Sequence, residues 1–299
     1  MPFTPRYEKS STLSADPDIF YCNVPATETV PAHKLACYVW GAASLPAVLC
    51  VHGLTRNARD FDFVAQALVH QYRVICPDMP GRGKSDYLNV SAAYNYATYV
   101  ADIAYLMASL QLSKTHWIGT SMGGIIGMML ANMYPDAILS LTLNDIGCQI
   151  PATGLKRILS YAGVNTVFTS REQAEQALRA NCAPFGIADE KHWHHLFRHG
   201  LLTEGSVTRL AYDPNIMNGF SKSEELKDLE LWNLWEGVKK VRTLVIRGGM
   251  SDILTAEIAQ KMHHEHPHLR LHEIQGVGHA PALMANDQIQ LIADWLESA

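Results

Sequence analysis

The stretch Trp117-Ile118-Gly119-Thr120-Ser121-Met122-Gly123-Gly124 constrains this chain more than any other. A short apolar run that reads as a strand ends in Gly-x-Ser-x-Gly and passes at once into an apolar helical segment. A serine at so sharp a strand-to-helix turn is pushed out of the sheet, with its Oγ exposed and a helix N-terminus beside it. Flanking glycines remove the Cβ clashes that such a turn creates. The alternative is a glycine-rich turn whose serine only caps a helix. The residues around the turn must decide between the two.

They do so first by rhythm. Ala47–Val51, Tyr72–Cys76, Thr115–Ile118 and Leu139–Asn144 are short apolar runs, and His33–Trp40 precedes them as a further strand. Between them lie helical patterns at Asp60–Val69, Tyr96–Leu112 and Met122–Met133. Strands that alternate with helices imply a mostly parallel sheet covered on both faces, an α/β fold. From about Gly147 to Trp235 the alternation stops. Helices are expected at Leu155–Tyr161, Ser170–Asn181, Asp189–Arg198 and Glu224–Trp235, with no buried strand. It resumes with strands at Val241–Ile246 and Leu269–Ile274 and helices at Thr255–His264 and Ala285–Leu296. The expected organisation is a core of residues 18–146 and 236–299, an inserted helical cap at 147–235, and an irregular arm at 1–17.

A serine hydroxyl needs a base to take its proton, and the base needs a group to orient it. Asp252 lies just past the strand at 241–246, and His279 just past the strand at 269–274. Loops that follow successive parallel strands emerge on one edge of the sheet, so Ser121, Asp252 and His279 can converge. Asp145, which ends the strand 139–144, is a second candidate acid for His279, although its expected role is in the loop leading into the cap. A tetrahedral intermediate also needs oxyanion donors. The backbone N–H of Met122 supplies one, and the loop His52-Gly53-Leu54-Thr55 after the strand 47–51 supplies the other, assigned to Leu54. His52 is read as holding its loop by hydrogen bonds.

These pieces, together with Asp78-Met79-Pro80-Gly81-Arg82-Gly83-Lys84-Ser85-Asp86, resemble a serine-dependent α/β-hydrolase-fold family with a helical cap. The likeness spans nearly the whole chain from residue 47 onward. It implies ester, thioester, lactone, amide or C–C hydrolysis without a cofactor or metal. Relatives that are epoxide hydrolases or haloalkane dehalogenases carry an aspartate nucleophile, and Ser121 argues against both. The leading expectation is a carboxylic-ester hydrolase working through a Ser121 acyl-enzyme. A C–C hydrolase or lactonase could use the same triad, with Arg157, Arg179, Arg198 or Arg209 as anchors for an acidic substrate. A third reading, from another class, is a small-molecule-binding module on a hydrolase scaffold.

Composition excludes other classes. The chain has 299 residues, 48% of them hydrophobic, enough to bury a large core, and a net charge of -5 with both signs interspersed. No basic stripe argues for nucleic acid, and no apolar run approaches membrane-spanning length. Six scattered cysteines with no CxxC pair suit a reducing compartment, so a cytoplasmic protein with a small-molecule substrate is expected. Gly83-Lys84-Ser85 resembles the end of a phosphate-binding loop, but Asp78 stands where that motif needs glycine. His192, His195 and His199 share a helical face without a matching carboxylate and read as cap surface or pocket lining. His263, His264, His266 and His268 read as solvated at a helix end. Trp232 and Trp235 read as core at the junction of cap and body.

Overall fold

The computed structural model describes residues 16–162, 167–218, 226–266 and 268–298. Most of the expected N-terminal arm and the start of the expected helix at 224–235 lie outside these residues. Eight strands form the central sheet: β1 (Asp18–Val24), β2 (His33–Trp40), β3 (Ala47–Val51), β4 (Arg73–Pro77), β5 (Thr115–Thr120), β6 (Ile138–Asn144), β11 (Arg242–Gly248) and β12 (Leu269–Ile274). Their spatial order is β1-β2-β4-β3-β5-β6-β11-β12. β1 pairs antiparallel with β2 and β2 antiparallel with β4, and the other pairs are parallel.

The side-chain alternation of the strands separates two cores. Leu49 and Val51, with Ile75 and Trp117, face α2 (Tyr96–Ser109) and α3 (Met122–Met133). Val48 and Cys50, with Val74, Cys76 and Ile118, face α1 (Asp62–Leu68) and α9 (Asn286–Glu297). Because both sheet faces are covered, these strands read as unbroken apolar runs rather than as alternating ones. α8 (Ala256–Glu265) packs Ile258, Ala259 and Met262 into the first core. Caps mark the helix starts: the Asn95 side chain accepts from Thr98 N–H at α2, and that of Thr255 from Ile258 N–H at α8. All six cysteines are buried free thiols.

Chain direction decides where a site can form. From β3 the chain crosses to β4 on one side, then returns to lay β5 on the other side of β3. Strand order reverses there, and the C-terminal ends of β3 and β5 open a crevice. The loop carrying Gly53 and Leu54 leaves β3, and Ser121 leaves β5, so both enter that crevice.

Between β6 and β11 lies an insertion with α4 (Ala152–Tyr161), α5 (Arg171–Cys182), α6 (Glu190–Gly200) and α7 (Trp232–Val238). It also holds two small antiparallel ladders that the apolar pattern did not disclose. β7 (Gln149–Ile150) pairs with β10 (Leu229–Glu230), and β8 (Leu201–Glu204) with β9 (Val207–Leu210). Strands of two to four residues are too short to show a two-residue period. The β8–β9 hairpin did carry a turn signal, Gly205-Ser206 with Gly205 at φ 61°, which favours a tight two-residue connection. The insertion is tied to the core through Asn57 Nδ2–H to His199 O (2.9 Å), Gly83 N–H to Ala211 O (3.1 Å) and Gly278 N–H to Pro184 O (2.7 Å). Trp235 is fully buried, as expected, whereas Trp232 is only partly so. Among the described residues no helix is long and apolar enough to cross a membrane.

The start of α3 lies very close to the end of β3. A Cβ on Gly123 would overlap the Val51 carbonyl at the end of β3. Gly123→Ala must therefore push α3 off the sheet, and a loss of about 2–4 kcal/mol is expected. Urea denaturation followed by tryptophan fluorescence measures it; wild-type stability in this variant would contradict so close an approach.

Candidate active site

Ser121 occupies the one residue between β5 and α3. Its φ of 51° and ψ of -112° lie outside the regions that side-chain-bearing residues favour, a strain of roughly 1–3 kcal/mol that surrounding contacts must hold. One such contact is Ser121 N–H to Asn144 O (3.0 Å) at the end of β6. Asn144 Nδ2–H in turn donates to Thr120 Oγ1 and to Pro281 O, tying β5 and β6 to the loop that carries His279.

His279 Nε2 lies 2.9 Å from Ser121 Oγ, and its Nδ1 lies 2.8 Å from Asp145 Oδ2. Because the carboxylate accepts the Nδ1 proton, Nε2 is the free acceptor that faces the serine hydroxyl. Asp145 is fully buried at the end of β6, with φ 54°. It also accepts from Gly248 N–H (2.7 Å) and from the Ser251 hydroxyl (2.5 Å). The carboxylate thus has three donors, one from the last residue of β11 and one from the loop after it.

This corrects the expected acid. Asp252 does not meet His279; its carboxylate takes a bidentate pair from Arg157 on α4, at 2.5 and 2.7 Å, and its side chain is 39% exposed. The end of β11 and the loop after it supply the Gly248 amide and the Ser251 hydroxyl instead, and these hold Asp145 at the end of the neighbouring β6. β6 and β11 are adjacent and parallel, so both loops open on the same edge. Their order along the chain cannot tell which acid turns inward.

Leu54 and Met122, expected as oxyanion donors, both border the clefts beside Ser121. Neither backbone N–H donates a hydrogen bond among the described residues, as befits the first turn of a helix at Met122. Sequence reasoning missed Arg82, which joins the two. Its Nε–H donates to Leu54 O (2.8 Å), one Nη to Pro80 O and Tyr99 Oη, and the other Nη lies 3.6 Å from Met122 Sδ. The guanidinium is fully buried against the rings of Tyr99 and Tyr94. Its signal was an arginine between two glycines in a loop that follows a buried strand.

His52 does hold its loop. Its Nδ1–H donates to Gly53 O (2.7 Å), and its Nε2 accepts from Met79 N–H (2.9 Å). Asp78 accepts from the Ala58 and Lys84 amides, which fixes the loop behind it and accounts for the resemblance to a phosphate-binding motif. Burial drives the two groups oppositely: it lowers the His52 pKa to about 3 and raises that of Asp78 to about 7.

Two clefts meet at Ser121, with about 640 and 680 Å³ of empty space when the part open to solvent is included. Core and insertion line both. Arg157, Arg179 and Arg209 pair with Asp252, Glu190 and Glu204, and none of these three, nor Arg198, lines either cleft. His266 is buried rather than solvated, with its Nε2–H on Val241 O. His195 and His199 do have a carboxylate neighbour, Asp62, with the three ligand atoms within 4.8 Å of one another. Arg59 already binds that carboxylate, and His195 Nε2–H donates to Arg59 O, so the cluster seats α6 on the core.

The hydrogen-bonded serine–histidine–aspartate set at the strand ends, within this sheet order, is the arrangement of a hydrolase. A family profile described as alpha/beta hydrolase fold matches residues 46–283, and the chain belongs to that family. It is 36% identical over 296 residues to a 3-hydroxybutyrate-oligomer hydrolase of Cupriavidus necator, covering 96% of this chain and 100% of that one. A solved putative hydrolase from Rickettsia typhi superposes with a TM-score of 0.89 at 36% identity, over 94% of this chain and 99% of that one. An alpha/beta hydrolase from Novosphingobium aromaticivorans gives 0.85 at 31% identity, over 96% and 100%.

The His52 shift has a sign that can be measured. Between about pH 6.5 and 3 the unfolded chain binds a proton at this position that the folded chain does not, so stability falls as pH falls through that window. Asp78 acts oppositely between about 3.8 and 7, because its folded form keeps the proton longer. In His52→Gln the acid loss of unfolding free energy should be shallower than in wild type by about one proton. Urea titrations at stepped pH check this; parallel pH profiles would contradict a neutral buried His52.

Proposed function

We propose that the chain is a carboxylic-ester hydrolase in which Ser121, His279 and Asp145 act as the triad. The observation that carries this reading is His279 bridging the strained Ser121 and the buried Asp145 in one line of hydrogen bonds. His279 Nε2 takes the proton from Ser121 Oγ as that oxygen bonds to the carbonyl carbon. The Leu54 and Met122 amides receive the negative charge that develops on the carbonyl oxygen. Collapse breaks the bond to the alcohol oxygen, which takes the proton from Nε2 and leaves an acyl-Ser121. Water then repeats the sequence: His279 removes its proton, the hydroxide oxygen bonds to the acyl carbon, and Ser121 recovers its hydrogen as the acid departs. Asp145 keeps the ring in the required tautomer and stabilises its cation.

An ester rather than a C–C substrate is supported by the relative's activity on 3-hydroxybutyrate oligomers, which are esters. It is also supported by the four arginines considered as anchors, all of which lie outside the clefts. The substrate is a small molecule, and the insertion between β6 and β11 serves as the cap over it. Arg82 acts as a positioning residue, since it holds both the Leu54 carbonyl and the Met122 side chain.

Ser121→Ala should abolish hydrolysis of aryl esters and labelling by a fluorophosphonate probe; retained turnover would sink the proposal. Asp145→Asn should lower kcat by about 10⁴-fold, the scale expected when the carboxylate that orients the histidine is lost. Asp252→Asn should cost less than about fivefold, because it breaks only a partly exposed ion pair. Steady-state kinetics on both variants separates the two acids; the reverse ranking would restore Asp252 to the triad.

A further inference from the structure

Asp62 on α1 and His195 and His199 on α6 form a cluster outside the triad, in which one ligand atom from each lies within 4.8 Å of the other two. The contacts that seat α6 on the core leave part of this cluster unused. Arg59 Nε–H donates to Asp62 Oδ2 (2.7 Å), and His195 Nε2 lies 3.5 Å from the same oxygen. The other oxygen, Oδ1, is buried and accepts no hydrogen bond among the described residues. Asp62 is only 2% exposed, so that oxygen has left water without gaining a partner. A buried carboxylate oxygen in this state requires a specific cause, and a cation is one. The His199 ring also makes no hydrogen bond among the described residues, and it meets the His195 ring edge-on with centroids 4.6 Å apart.

We propose that Asp62 Oδ1, His195 and His199 bind a divalent transition-metal ion of the zinc class, and that the ion clamps α6 of the insertion to α1 of the core. His195 and His199 stand four residues apart, the spacing that turns two imidazoles to one side of a helix, where both reach one ion. Asp62 adds a carboxylate from a different helix. Imidazoles suit zinc, nickel or copper, whereas magnesium and calcium take oxygen ligands. In a tetrahedral zinc site, bonds of about 2.1 Å set the ligand atoms about 3.4 Å apart, so side-chain rotation has at most about 1.4 Å to close. His195 Nε2–H donates to Arg59 O at 2.8 Å; on metal binding that proton moves to Nδ1, so the ring stays neutral and Nε2 becomes a ligand. Burial, with Arg59, His195, Arg198 and Lys84 nearby, lowers the His199 pKa to about 3, so this ring too is neutral and able to ligate. Those cations oppose a further positive charge, and the Asp62 carboxylate offsets them. Phe61 and Leu196, each next in sequence to a ligand, line the cleft beside Ser121, so the clamp fixes one wall of that cleft.

Calorimetric titration of the untagged full chain, stripped with a chelator and then given Zn²⁺, tests this. One ion should bind per chain, and Mg²⁺ should not bind. At a free Zn²⁺ concentration of about 100 times Kd, Tm should rise by about 4 °C. Amide hydrogen exchange across α6 should slow on saturation, because the ion ties that helix to α1. His199→Phe, which keeps a ring and removes the ligand, should weaken binding by at least about tenfold. His195→Gln, which keeps an N–H donor for Arg59 O, should do the same. His263→Gln combined with His264→Gln, on α8, should leave the affinity unchanged. Circular dichroism establishes that each variant is folded, and either single variant decides the matter if the other is not. Undiminished affinity in His199→Phe would put the ion elsewhere and overturn the inference. So would the absence of binding up to about 1 mM Zn²⁺, or binding that leaves exchange in α6 unaltered.

Discussion

α3 begins directly against the end of β3, and only a hydrogen atom fits between Gly123 and the Val51 carbonyl. Much of the site follows from that contact. It places the N-terminus of α3 over the crevice where strand order reverses. It leaves one residue, Ser121, to make the turn from β5 at φ 51°. A side chain held in that conformation projects out of the sheet instead of packing into it. The strain is balanced by bonds on the far side of the turn: Ser121 N–H on Asn144 O, and Trp117 Nε1–H on Gly123 O at 3.0 Å. The site is accordingly a property of β3, β5, β6 and α3 together.

Behind the crevice lies a second layer of buried polar groups. His52, Asp78, Arg82 and Ser85 are all nearly or fully excluded from water. His52, Asp78 and Ser85 are bonded to backbone, and Arg82 to both backbone and side chains: Ser85 Oγ–H donates to Asp78 O and accepts from Ala36 N–H, which ties the loop after β4 to β2. Unmade hydrogen bonds in such a place would be expensive, so these side chains fix the loop conformations around Leu54 closely. The arrangement holds the Leu54 carbonyl through Arg82 while the Leu54 and Met122 amides donate no hydrogen bond among the described residues. The insertion meets the same layer, since Gly83 N–H and Gly81 O bond to Ala211 O and Asp213 N–H. Movement of the insertion is therefore tied mechanically to the loop that Arg82 anchors.

The turn at Ser121 and the strand ends that lead into Gly53-Leu54 and towards His279 were legible because each depends on local chemistry. Glycine spacing, strand ends and apolar periodicity are written in adjacent residues. The central strands from β2 onward were legible for the same reason, as were the helix start at Tyr96 and, within one residue, that at Ala256. The acid was not. Asp145 and Asp252 each follow a strand and each precede a loop. What separates them is Arg157, a helix residue of the insertion that takes Asp252, and Ser251, whose hydroxyl takes Asp145. Both are long-range partners that no local pattern reports. His266 illustrates the same limit: its neighbours are histidines and its expected surroundings were solvent, yet Val241 O lies across the fold to receive its proton.

By itself the sequence determined a mostly parallel α/β sheet, an insertion after the strand that ends at Asn144, and a serine forced out at the head of a helix. Those outcomes follow from short-range sterics and from the period with which apolar residues recur. Only the tertiary structure decided which carboxylate is bonded to His279, how Arg82 joins Leu54 to Met122, and that two clefts meet at Ser121. These depend on which side chains meet across adjacent strands and across the boundary between insertion and core. Such meetings are set by packing in three dimensions, where one bidentate arginine suffices to turn a plausible acid away from the site.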